Sequence, residues 1–531
     1  MGYSSPTSWS CGFQWLISRK MGLPVMNKFK IHSEIVKTAS SFFCFYDRMC
    51  KLNRRYTLEE LKKEEAIFAD SILLVKLNNA VRLFAFTTAK MSLPKIMVAR
   101  KNGQTYMEMF LEYDGEGSPT EEFIIKDFPN EVEALLFYRK AASKNYSPAP
   151  PQKGWCSWYH YFDKIREKDI LENLSFLKSH KKKIPLDIVQ IDMGYCPYLG
   201  DWEESSERFP RGVKYLAKKI RDFGFIPGIW LAPFTAEEES MLFKTHPHWF
   251  YADDEYSWHS VFDSARWKAL DISNPEALEF VVKTAQRFKE AGFDYYKLDF
   301  IDMAAIPGKR YSTNKSGVEL YREGLQKIKK IIGKSPMLAC NSIIPSSFGI
   351  ADAVRINQDT APFWEPEHAE TAGAKEALKT AFTRLFLSGG PLQIDADCIV
   401  LRNWQSKLTE DEVKTYLSVA MVSSGAFFLS DKMELISEER LNYAFKKLPY
   451  ENLIVVPEKI FDIDPPDSLI LYSLSKIVGK FIINWDDREK FYSLGNLNTL
   501  NAVDFWSGEK IRGKKVEFYL GPHQSKLFFY S

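Results

Sequence analysis

The sequence predicts an α/β protein built on a (β/α)8 barrel, the TIM barrel, with a β-rich domain on either side. Three observations carry this expectation. Short apolar strands alternate with amphipathic helical stretches between Gly154 and Ser430, and eight such strands can be counted. Polar residues, carboxylates above all, terminate several of them. The 531 residues exceed one ordinary core, which suits a barrel of roughly 250 residues carrying flanking domains.

Two boundaries divide the chain. Pro148, Pro150 and Pro151 form a stretch that fits neither helix nor central strand, so residues 1–147 are set apart as an N-terminal domain. Within it, Ser71 to Leu77, Val81 to Thr87 and Thr105 to Leu111 have the character of strands between polar turns. The barrel is assigned to residues 148–447. Its strands are expected at Gly154 to Tyr159, Asp187 to Asp192, Pro227 to Ala232, Tyr295 to Phe300, Pro336 to Ser342, Ala353 to Gln358, Leu392 to Asp395 and Ala426 to Ser430. Helices are expected at Ile170 to Leu177, Val213 to Phe223, Pro275 to Ala291 and Gly317 to Ile332, where apolar residues recur at three-to-four spacing. The run Ser273-Asn274-Pro275-Glu276 supplies a cap and a first-turn proline for the third of these. Between Ser342 and Ala353 there is too little chain for the dozen-residue crossover that parallel strands require, so irregularity is expected there. Residues 448–531, with strand-like Ser468 to Leu474, Ile477 to Asn484 and Lys515 to Leu520, are assigned to a small C-terminal β-sandwich.

Composition narrows the function. Lysine and arginine total 71 against 69 acidic residues, a net charge of +2 that leaves no footprint for nucleic acid or a membrane surface. An uncharged partner is expected. Aromatics make up 15% of the chain, with 13 Trp, which suits flat apolar faces for sugar rings and equally suits large cores. The seven cysteines, at 11, 44, 50, 156, 196, 340 and 398, are scattered, with no CxxC pair and no His companion at zinc spacing. They are expected to be reduced thiols of a cytoplasmic protein with no metal site. No basic region precedes the apolar stretch from Phe13 to Ile17, so no signal peptide is expected. No apolar run reaches the roughly 18 to 20 residues needed to span a bilayer. A homo-oligomer is compatible with this composition.

In barrels of this kind the reacting groups sit at the C-terminal ends of the strands. There the sequence places Asp192, Asp299, Asp359 and Asp395. Glycosidic cleavage needs two carboxyl groups flanking the scissile bond, and Asp299 with Asp359 is the chosen pair. Lys297, two positions before Asp299 on the same strand face, is expected to keep Asp299 ionised as a nucleophile. Asp359, followed by Thr360-Ala-Pro-Phe-Trp364, has the apolar setting of a working acid, and Arg355 shares its strand face. A set of structural ion pairs between barrel strands is the competing account. The sequence contains no P-loop, no HExxH and no GxGxxG opening a helix after a strand.

These stretches resemble the α-galactosidase and raffinose-synthase family of glycoside hydrolases, family 36, of the same clan as the family 27 α-galactosidases. The resemblance runs through Gly154-Trp-Cys-Ser-Trp-Tyr-His-Tyr-Phe162, Gly228-Ile-Trp-Leu-Ala-Pro-Phe234, Lys297-Leu-Asp-Phe300, Leu338-Ala-Cys-Asn-Ser342 and Arg355-Ile-Asn-Gln-Asp-Thr-Ala-Pro-Phe-Trp364, in the family's order. It implies a barrel between an N-terminal β-supersandwich and a C-terminal antiparallel β-domain. It also implies an exo-acting, retaining double displacement on terminal α-galactosides such as melibiose or raffinose, without a cofactor. By resemblance Asp299 is the nucleophile and Asp359 the acid/base. Asp192, Lys297, Arg355, Trp158, Trp230 and Cys340 would line the galactose subsite. Trp9 would join them, in a segment, Gly2 to Ser10, similar to one lying well inside the family's supersandwich.

One departure bears on specificity. The family pairs two aspartates at the end of strand two to grip sugar hydroxyls, whereas here Asp192 is followed by Met193, whose thioether cannot replace a charged acceptor. The alternatives therefore stay open: a retaining α-glycosidase for another sugar, an α-galactosyltransferase, or a sugar-binding protein without turnover.

Overall fold

The computed structural model describes residues 27–530 apart from 50, 145, 147–148, 204–206, 252–257, 260–265, 307, 366–372, 495–499 and 514–515. Trp9 lies outside the described residues. At the centre is one ring of eight parallel strands: β1 (Lys153–Cys156), β2 (Ile188–Ile191), β3 (Ile226–Leu231), β4 (Tyr295–Leu298), β5 (Met337–Ala339), β6 (Ala353–Arg355), β7 (Gln393–Asp395) and β8 (Phe427–Leu429). All eight fall inside or within one residue of the expected stretches. β8 pairs with β1, and the Ala426 N–H donates to the Ile394 carbonyl at 2.7 Å where the chain leaves β7 for β8, which closes the ring.

Why these short runs become strands follows from burial on both faces. One face packs under the helices, and the other fills the barrel with Ile188, Tyr295, Leu338, Ala353 and Phe428 beside Cys156 and Cys398. Gly154 is required in that layer, because a Cβ there would sit 2.3 Å from the Phe428 ring.

The surrounding helices are α1 (Glu167–Ser179), α2 (Gly212–Asp222), α3 (Pro275–Glu290), α4 (Gly317–Ile332), α5 (Ala374–Phe382) and α6 (Glu410–Val422). Asn274 caps α3 by accepting the Glu276 N–H at 2.9 Å, with Pro275 in the first turn. Ser316 and Glu319 form a capping box at α4.

Between β5 and β6 the expected irregularity is a single 3-10 turn, Ile344–Ser347. The N-terminal domain occupies the wall at that place. Asp47 accepts the Ile344 N–H at 3.0 Å, and Arg48 bridges to Ile343. Arg384, 2% exposed, clasps the same segment by donating to the carbonyls of Tyr46 at 2.9 Å, Arg48 at 3.1 Å and Lys51 at 2.5 Å, and to that of Ile356 at 3.0 Å.

That N-terminal domain is a sandwich of two antiparallel sheets. One runs Asn27–Ile35, Gln104–Tyr113, Leu93–Lys101, Ala66–Ala69, and the other Arg54–Thr57, Ser41–Cys44, Ile72–Lys76, Val81–Phe86, Phe123–Phe128. Phe42, Leu73, Phe84, Ile96, Met107 and Met109 fill the space between them. After the barrel, a six-stranded antiparallel sheet and the pair Lys490–Leu494 with Val516–Leu520 pack over Ile482, Tyr492, Leu520 and Phe528. An element not anticipated is a three-stranded sheet of Thr235–Glu237, Trp258–His259 and Arg266–Ala269 between β3 and α3.

Candidate active site

At the C-terminal rim of the barrel Trp158, Tyr159, Asp192, Met193, Trp230, Lys297, Asp299, Phe300, Asn341 and Asp359 line one cleft. Six of the nine residues expected at the site are in this set: Asp299, Asp359, Asp192, Lys297, Trp158 and Trp230. Arg355 and Cys340 are buried behind the wall, and neither lines it.

Asp299 is oriented by three neutral donors. Trp230 Nε1 donates to Oδ2 at 3.0 Å, while Asn341 Nδ2 and the Phe300 N–H donate to Oδ1, each at 2.8 Å. Trp230 is thus a hydrogen-bonding neighbour of Asp299 held edge-on by Trp202 and Phe300, rather than a flat platform. Phe300 and Asn341 both stand in the left-handed region, at φ 49 and 45. Such turns aim groups at ligands in many sites.

Lys297 does not bond Asp299, as strand-face reasoning expects. Its ammonium donates to Asp192 Oδ2 at 3.0 Å, where Gln190 at 2.6 Å and the Cys156 thiol at 3.3 Å also donate. The reason is barrel layering: inward side chains of alternate strands meet in one layer, so a β4 residue meets the end of β2. Burial opposes the charge on Lys297, but Asp192, Cys156, Cys340 and Asp299 outweigh it and hold its pKa well above the usual lysine value. The field of Lys297 therefore still reaches Asp299, without a direct contact.

Asp359 is differently placed. Its Oδ1 accepts Arg355 Nη2 at 2.9 Å, and 21% of its side chain is exposed to the cleft. Burial pushes its carboxyl up to about 7; Arg355 and Lys297 oppose the rise, and Asp397 and Asp299 add to it. Arg355 is itself 1% exposed and also meets Asp397, with Asp395 3.9 Å away.

Tyr159, Phe300, Asn341 and Asp397 are the residues that sequence reasoning passed over. Asn341 lay inside a quoted motif, and Asp397 two positions past a strand-end aspartate, but nothing in their spacing marks them. Burial keeps the Cys340 thiol well above its ordinary range, with Asp299 adding to the effect, so it stands as a neutral thiol behind the site. No helix among the described residues is long and apolar enough to cross a membrane, and no group of three or more His, Cys, Asp or Glu among them is arranged to hold a metal ion.

Residues 193–337 match the Melibiase family. The α-galactosidase of Escherichia coli is 30% identical over 106 residues, which are 19% of this chain and only 14% of that enzyme. Among solved structures, the α-galactosidase TtGalA of Thermus thermophilus in complex with stachyose is similar with a TM-score of 0.65 at 24% identity, covering 78% of this chain and 92% of that one. The family 36 α-galactosidase AgaA of Geobacillus stearothermophilus is similar with a TM-score of 0.64 at 12% identity, over 94% of this chain and 76% of that one. By the Melibiase match and by fold, this chain is of the glycoside hydrolase family 27/36 type.

Proposed function

We propose that this chain is a retaining exo-α-galactosidase that hydrolyses terminal α-galactosides of the melibiose or raffinose kind. Asp299 attacks the anomeric carbon while Asp359 gives its proton to the departing glycosidic oxygen, leaving a galactosyl ester on Asp299. Asp359, now a carboxylate, takes a proton from the water that attacks the ester, and the product keeps the α configuration. The observation that carries this reading is the asymmetry of two carboxyls on one cleft. Three neutral donors orient Asp299, whereas Asp359 is pushed up to about 7 and has exposure to reach a leaving group. Asp192, Lys297 and Trp158 would contact the sugar directly, with Arg355 and Cys340 acting from behind. The division into residues 1–147, 148–447 and 448–531 goes with this reading, supported by the change from antiparallel sheets to the parallel ring and back. Membership of family 36 rather than 27 is supported by the sandwich before the barrel and by the 94% of this chain that AgaA covers.

Met193 favours a second reading within the same chemistry. Its thioether lines the cleft beside Asp192, whose own oxygens are engaged by Lys297, Gln190, Cys156 and the Met193 N–H. A sugar with fewer polar groups to satisfy on that side would lose less there. Turnover of p-nitrophenyl α-galactoside, α-glucoside and α-N-acetylgalactosaminide decides between the two, with NMR of the first-formed anomer. The α-galactoside is expected to be cleaved fastest with retention. Faster cleavage of another glycoside, or a β first product, defeats the first reading.

A further inference from the structure

Asp397 follows β7 by two residues and stands in the left-handed region at φ 77. A strained, non-glycine position persists only where its surroundings hold it, and such positions gather at functional sites. Here the surroundings do hold it. Asp397 is 2% exposed, and four donors converge on its carboxyl: Arg355 Nη2, the Tyr159 hydroxyl, the Thr360 N–H at 2.7 Å and the Cys398 N–H at 2.6 Å. Asp395 Oδ1 accepts the Asp397 N–H at 2.9 Å and braces the turn from below.

Two of those contacts lead straight to Asp359. The Arg355 Nη2 that reaches Asp397 is the atom that donates to Asp359 Oδ1. Thr360, whose N–H Asp397 takes, is the next residue in the chain, so Asp397 also fixes the backbone on which Asp359 sits. Facing Asp359 are the cations Arg355 and Lys297, the carboxylates Asp397 and Asp299, and the neutral Tyr159 and Cys340. One guanidinium is thus divided between carboxyl groups. Four donors suit Asp397 as the anionic partner, while Asp359 has a single donor and an open side.

We propose that Asp397 is a positioning residue for the acid/base step: by occupying Arg355 and pinning the Thr360 amide, it keeps Asp359 aimed at the cleft with a transferable proton. The proposal rests on the acid/base role of Asp359. Without the Asp397 charge, Arg355 serves Asp359 alone, and Asp359 releases its proton at lower pH.

The test is the pH profile of kcat/KM for melibiose and for p-nitrophenyl α-galactoside in the wild type, Asp397→Asn and Asp397→Glu, with folding checked by circular dichroism. Asp397→Asn is expected to move the basic limb down by about one pH unit. Its melibiose turnover near pH 7 should fall roughly tenfold more than its nitrophenyl turnover, because the good leaving group needs little protonation. Asp397→Glu keeps the charge and should keep the wild-type limb. A limb unmoved in Asp397→Asn with equal losses on both substrates, or displaced in Asp397→Glu, overturns the proposal. If Asp397→Asn does not fold, the limb of Asp397→Glu decides alone. A wild type lacking melibiose turnover or lacking a basic limb strikes the role of Asp359, and the proposal with it; a wild-type limb that Asp397→Asn leaves in place strikes Asp397 only.

Discussion

Asp299 receives hydrogen bonds from Trp230, Asn341 and the Phe300 amide, while Asp359 receives one from Arg355 and is pushed up to about 7 chiefly by burial. That contrast makes the two substitutions behave differently. Asp299→Gly should lose hydrolysis by at least about 10^4-fold and regain turnover with azide, giving the β-glycosyl azide. An α-azide product would reverse the assignment. Asp359→Ala should cost roughly 10^2 to 10^4-fold on melibiose and far less on p-nitrophenyl α-galactoside, since protonation matters only for the poor leaving group. A raised carboxyl pKa also sets the sign of the pH response. Glycosylation needs the protonated form, so kcat/KM for melibiose should fall as pH rises through about 7. A profile flat to pH 9 would contradict that.

Single elements carry their own consequences. Gly154 on β1 leaves room for the Phe428 ring, and Gly154→Ala puts a methyl 2.3 Å from it. Overpacking of this kind costs on the order of 1–3 kcal/mol, which thermal unfolding would register as a lowered Tm. The connection between β5 and β6 depends on Arg384, which satisfies carbonyls of residues 46, 48, 51 and 356. Arg384→Met leaves several buried acceptors unpaired at about 1–3 kcal/mol each, so a fall in urea midpoint well beyond that of Gly154→Ala is expected. The barrel strands were legible because each is a short apolar run buried on both faces. The small sheet between β3 and α3 was not, since strands as short as Trp258–His259 have no period to read.

On the scale of the molecule, the N-terminal sandwich is part of the barrel wall rather than an appendage. Residues 45–49 and Asn53 pack where a crossover helix would lie, and Asn53 Nδ2 donates to Thr383 Oγ1 at 2.9 Å inside the core. Deleting the segment up to residue 147 should therefore give no cooperative near-UV unfolding transition; a barrel that still melts cooperatively without it would refute this. The C-terminal domain reaches toward the acid/base loop in turn. His523 stacks on Trp364 with ring centroids 4.8 Å apart and is held by Glu412 at 2.6 Å and Asp487 at 2.7 Å.

The sequence by itself determined where the strands, the main helices and the two reacting carboxyls lie. Those features are local: period reports burial, and the end of a barrel strand reports the rim. Tertiary structure decided the partners. Lys297 bonds Asp192, 105 residues away, because alternate strands share a layer. Arg355 sits behind the cleft and is divided between Asp359 and Asp397 because β7 closes beside β6. Ring closure brings these groups together, and no spacing along the chain records it.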